Sequence, residues 1–123
     1  MYELKVKTHF DAAHQLMDYK GKCNRLHGHR WDVEVVLCGK LLDRRNMLVD
    51  FADVKNGLKE LIDGNLDHFC LNETLKEPNP TAEYLAHWLY DRIPLTVGTG
   101  RLVSVEVWES PECSVKYFEG GVQ

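Results

Sequence analysis

At 123 residues, with 44% hydrophobic and 28% charged side chains, the chain has the size and composition of a single globular domain over 1–123. Fifteen Lys and Arg against nineteen Asp and Glu leave a net charge of −4, which argues against a nucleic-acid surface. No apolar run approaches the roughly 20 residues that span a bilayer. The start Met1-Tyr2-Glu3-Leu4-Lys5 does not read as an export signal, so the expectation is a cytoplasmic protein without a membrane partner.

Residues 2–14 alternate strictly, with Tyr2, Leu4, Val6, Thr8, Phe10, Ala12 and His14 on one face and Glu3, Lys5, Lys7, His9 and Asp11 on the other. That pattern predicts a half-buried strand whose even positions face the core. A polar loop with Gly21 follows. Alternation resumes at His27, now with the odd positions His29, Trp31, Val33, Val35 and Leu37 inward, and Gly39 to Asn46 reads as a turn region.

The period then changes. Asp50 is an expected N-cap for a helix carrying Val54, Leu58, Leu61 and Ile62 on one face and ending at Gly64. A connection over 65–80 closes on Glu77-Pro78-Asn79-Pro80. A second helix starts near Thr81, buries Leu85, Trp88, Leu89 and Ile93, and stops at Pro94. Two strands complete the chain: one with Val103, Val105, Val107 and Glu109 on a common face, and one over Ser114 to Phe118, after a turn at Ser110-Pro111-Glu112. The order ββααββ, without βαβ alternation, predicts an α+β fold: a four-stranded antiparallel sheet with two helices on one face. Such a sheet has two open edges, and oligomerisation through them is the natural remedy.

Histidines carry the strongest chemical signal. His14 ends the inward face of the first strand, while His27 and His29 begin that of the second, because residues i and i+2 of a strand point the same way. Paired as a hairpin, the strands bring three imidazoles to one end of the core face. Three imidazoles with one open position is the ligand set of a catalytic zinc site. Cys23 lies four residues before His27 between Lys22 and Arg25, whose charges favour a thiolate. It is a candidate fourth ligand, closing a non-catalytic structural zinc module of one cysteine and three histidines, or else a nucleophile or general base. Cys38, Cys70 and Cys113 read as reduced packing residues, and His9 and His87 receive no role. Asp67-His68 is either a turn with a surface histidine or a carboxylate orienting an imidazole. Glu109 extends a valine-bearing face, either as a solvated rim residue or as an acceptor for a donor-rich ligand.

Taken together, Phe10-Asp11-Ala12-Ala13-His14, Cys23-Asn24-Arg25-Leu26-His27-Gly28-His29, Val49-Asp50-Phe51, Leu66-Asp67-His68, Leu71-Asn72, Asn79-Pro80-Thr81-Ala82-Glu83 and Trp108-Glu109-Ser110 resemble the 6-pyruvoyl-tetrahydropterin synthase superfamily over essentially the whole chain. The three residues between Cys23 and His27 are similar to the bacterial branch that makes 6-carboxy-5,6,7,8-tetrahydropterin in the queuosine and 7-deazaguanine pathway. The pyruvoyl-forming branch, the alternative on the same substrate, typically has a longer spacing. The resemblance implies zinc held by His14, His27 and His29, with Cys23 as proton acceptor and Asp67 and His68 as its relay. It further implies Glu109 as the anchor of the pterin and Thr81 in a pterin-contact segment. The implied substrate is 7,8-dihydroneopterin triphosphate, cleaved with release of triphosphate and acetaldehyde. The implied fold is the tunnelling fold, in which homotrimers or stacked pairs of trimers close the sheets into a barrel with active sites between subunits.

Overall fold

The computed structural model describes residues 1–21 and 24–120. Its elements are β1 (Tyr2–His14), β2 (His27–Gly39), α1 (Phe51–Asn65), α2 (Leu71–Thr74), α3 (Ala82–Arg92), β3 (Thr96–Val97), β4 (Gly100–Ser110) and β5 (Cys113–Phe118). The fold is α+β, with an antiparallel sheet in which β2 lies between β1 and β4. Both β3 and β5 pair with β4. The expected order thus gains α2 and β3, segments of four and two residues that are too short to display a hydrophobic period.

The alternation read from β1 and β2 is the alternation that is buried. Val6, Phe10, Ala12 and His14 from β1 join Trp31, Val33, Val35 and Leu37 from β2 under the helices. Their partners across the layer are Val54, Leu58 and Ile62 of α1 and Leu85, Ala86 and Leu89 of α3. Asp50 caps α1 by accepting from Ala52 N, and Thr81 caps α3 by accepting from Tyr84 N. The first helix passes Gly64 and ends at Asn65, where the Leu66 and Asp67 amides both donate to Ile62 O. A helical glycine weakens a helix without ending it.

The inward face of β4 departs from the expected alternation at one point. Val36 pairs with Ser104 but Leu37 pairs with Leu102, so a bulge leaves Val103 unpaired with β2. Leu102 takes the core position expected of Val103, while Val105, Val107 and Glu109 keep the inward phase beyond the bulge. Cys113 is exposed at the first residue of β5, next to the hairpin turn, and is not a packing residue; Cys38 and Cys70 are half-buried. No described helix is long and apolar enough to cross a membrane.

Candidate metal centre

The β1–β2 register sets the site. His14 pairs with His27 and Ala12 with His29, so His14, His27 and His29 converge at the loop end of the hairpin as the spacing predicts. His14 Nε2 stands 3.0 Å from His27 Nε2 and 3.3 Å from His29 Nε2. Each outer ring nitrogen faces a backbone carbonyl: His14 Nδ1 donates to Pro80 O at 2.9 Å, His27 Nδ1 to Arg25 O at 2.7 Å, and His29 Nδ1, more weakly, to Arg30 O at 3.4 Å. A carbonyl only accepts, so each Nδ1 carries a proton and each ring turns its Nε2 inward, where a neutral ring offers a lone pair.

Lone pairs 3.0 Å apart require a cation between them, either a proton or a metal ion. His14 is completely buried, and burial pushes its pKa below the ordinary histidine value, against the opposing pull of the Pro80 carbonyl. Burial therefore disfavours a proton on His14. A metal ion suits the donors present: three neutral imidazoles with fixed tautomers, and the carboxylate of Glu109, whose Oε1 lies 3.4 Å from His14 Nε2 and 3.7 Å from His29 Nε2. Trp31 forms the apolar wall, its ring centroid 4.3 Å from that of His29 and 4.8 Å from that of His14.

Asp67 and His68 are brought together, but in a second group beside β1. Asp67 Oδ1 accepts from Asp11 N at 3.0 Å, and its Oδ2 lies 3.0 Å from His68 Nδ1. The Asp11 amide, aided by the adjacent His68, holds the Asp67 carboxyl below the usual carboxylate range. His68 adopts a left-handed backbone with φ of 63°, donates its own amide to Asp11 O, and leaves its side chain 79% exposed. The imidazole is thus oriented by a carboxylate and open to whatever approaches that edge. Arg30 closes the group by a two-pronged ion pair to Asp11. Cys23 lies outside the described residues. Thr81 follows Pro80, the residue whose carbonyl orients His14, so the start of α3 and the histidine site share one anchor.

Two asparagines that the residue pattern left without a role build the supporting wall. Asn72 accepts from Gln15 N at 2.9 Å and donates to Gln15 O at 2.7 Å and Pro78 O at 3.2 Å. Asn79 accepts from Asp18 N and donates to Asp18 Oδ2. Together they fasten residues 15–18, just after His14, to the 72–80 connection. The available signal was chemical: a side-chain amide matches a free backbone N–H and C=O at once.

Comparison with known proteins agrees with this architecture. The family model described as 6-pyruvoyl tetrahydropterin synthase matches residues 3–120. A Synechocystis protein named 6-carboxy-5,6,7,8-tetrahydropterin synthase is 37% identical, covering 96% of this chain and 94% of the relative. A Rickettsia felis protein of the same name is 33% identical, covering 94% and 99%. The structure of Caenorhabditis elegans 6-pyruvoyl tetrahydropterin synthase superposes with a TM-score of 0.82 at 24% identity, covering 97% of this chain and 96% of that one.

Proposed function

Since the chain belongs to the 6-pyruvoyl tetrahydropterin synthase family, we propose that it is a zinc-dependent lyase. In this reading it converts 7,8-dihydroneopterin triphosphate and one water to 6-carboxy-5,6,7,8-tetrahydropterin, releasing acetaldehyde and triphosphate. The observation that carries the proposal is the convergence of three carbonyl-oriented imidazoles on one point. Relatives named for the carboxy product support that product, and queuosine and 7-deazaguanine synthesis in the cytoplasm is the metabolic setting that goes with it.

Zinc held by His14, His27 and His29 supplies Lewis acidity at the side-chain oxygens of the substrate. Around it, the chain's own groups bind the substrate and move protons. Glu109 accepts from the ring N–H and amino group of the pterin, a donor pair that a carboxylate matches. Cys23 takes a proton from the substrate side chain as its thiolate. Asp67 stays ionised, holds His68 Nδ1 and leaves Nε2 free to pass protons on. Thr81, at the head of α3, lies in the segment that contacts the pterin.

An oligomer completes this reading. The outer edge of β1 over residues 2–9, opposite its pairing with β2, and the outer edge of β5 have no strand partner among the described residues. Antiparallel pairing of β1 on one subunit with β5 on the next closes three sheets into a barrel and removes both edges. The exposed His68 then faces a neighbour. Incubating the zinc-loaded protein with dihydroneopterin triphosphate and identifying the products by mass spectrometry tests the reaction. Carboxytetrahydropterin with equimolar acetaldehyde is expected; a pyruvoyl product or an untouched substrate overturns it.

A further inference from the structure

We propose that His87, Asp91 and Glu119 form a second metal site, for a divalent transition ion such as zinc, where α3 meets the end of β5. The site lies outside both the histidine centre and the Asp67–His68 group, and it is independent of the reaction proposed above.

Asp91 follows His87 by one helical turn, so both side chains project from one side of α3. His87 Nε2 stands 3.2 Å from Asp91 Oδ2. Glu119, the residue after β5, brings a third donor, and one ligand atom from each of the three lies within 4.8 Å of the others. Small rotations of exposed side chains close that spread onto one ion at about 2.0–2.2 Å. Two carboxylates thus meet at one imidazole. Every Lys or Arg ion pair among the described residues goes to some other carboxylate. The repulsion between Asp91 and Glu119 is left for a proton on His87 or an added cation to relieve.

Aromatic packing distinguishes this group from a loose acidic patch. The His87 ring lies flat on Tyr117, with centroids 4.1 Å apart and planes 9° from parallel. The buried Tyr90 braces Tyr117 edge-on at 5.0 Å. The Tyr117 hydroxyl donates to Glu119 Oε2 at 2.8 Å and leaves Oε1 for an ion. That bond pushes the phenol up to about 12, so it remains a donor throughout the neutral range. One tyrosine therefore orients two of the three ligands, the kind of outer-shell support that raises metal affinity. The imidazole in the set selects zinc, cobalt or nickel over magnesium and calcium, which take oxygen donors. An ion held there ties Glu119 to α3 and steadies the end of β5.

Untagged protein dialysed against buffered free zinc, with metal per chain measured by elemental analysis, provides the test. The native chain should hold one more zinc than His87→Ala or Glu119→Gln, whatever the histidine centre holds. Glu60→Gln removes the same charge from an exposed position of α1 and should match the native count. Tyr117→Phe keeps the stack and loses the hydroxyl, so the free zinc needed to half-fill the site should rise about tenfold. Cobalt(II) should shift the His87 and Tyr117 ring resonances in the native chain, and magnesium at the same concentration should not. Equal zinc counts in the native, His87→Ala and Glu119→Gln proteins overturn the site, as does a loss in Glu60→Gln equal to that in Glu119→Gln. Unchanged half-filling in Tyr117→Phe overturns the orienting role of the tyrosine.

Discussion

Replacing Asn72 tests how the site is supported, because this one side chain makes three hydrogen bonds between the end of β1 and the connection that carries Pro80. A net hydrogen bond contributes about 0.5–1.5 kcal/mol. Asn72 is half-buried, so water recovers part of the loss, and Asn72→Ala should cost about 2 kcal/mol. For a chain of this length that is a fall in Tm of about 6–10 °C, measured calorimetrically at matched protein concentration. Asn72→Asp keeps the acceptor for Gln15 N but turns the donor toward the Gln15 and Pro78 carbonyls into an oxygen. It should cost at least as much near neutral pH and recover partly as its carboxyl protonates. Because Gln15 adjoins His14, and Pro78 lies two residues before the carbonyl that orients it, metal affinity should also fall, by about tenfold, the lower end of the range for outer-shell partners. Asn65→Ala removes one side-chain amide bond inside α1, to Leu61 O, and should leave metal affinity unchanged. Native Tm and native metal affinity in Asn72→Ala would refute the claim that this asparagine positions the site.

His27→Ala should lose most bound zinc, measured by elemental analysis, since it removes one of three convergent nitrogens; full retention refutes the histidine site. Gly57→Ala should raise stability by about 0.5–1 kcal/mol in denaturant titration, because an added Cβ in α1 meets nothing within 4 Å beside a cavity of about 170 Å³. The Asp67 carboxyl titrates below its unfolded value, so its stabilisation is complete above the ordinary carboxylate range and is lost as pH falls through the depressed value. Asp67→Asn should accordingly flatten the acid limb of the stability–pH profile.

Local rules accounted for the sheet, the two main helices and the histidine convergence. A strand's period of two placed His14, His27 and His29 on the inward face, the expected cap at Asp50 marked the first helix start, and the change of period near Thr81 marked the second. Each of these depends on neighbours a few residues away. The bulge that exchanges Val103 for Leu102 was not legible, because it arises where β4 is fitted against β2 and not within either strand. The wall of Asn72 and Asn79 joins residues 57 and 61 positions apart, a separation that carries no local period. Glu109 was visible as a carboxylate on an apolar face, but its place 3.4 Å from His14 Nε2 is set by β1, β2 and β4 meeting at one end of the sheet. Sequence chose which side chains face inward; tertiary packing decided which of them touch, because contact distance depends on register between segments that do not adjoin along the chain.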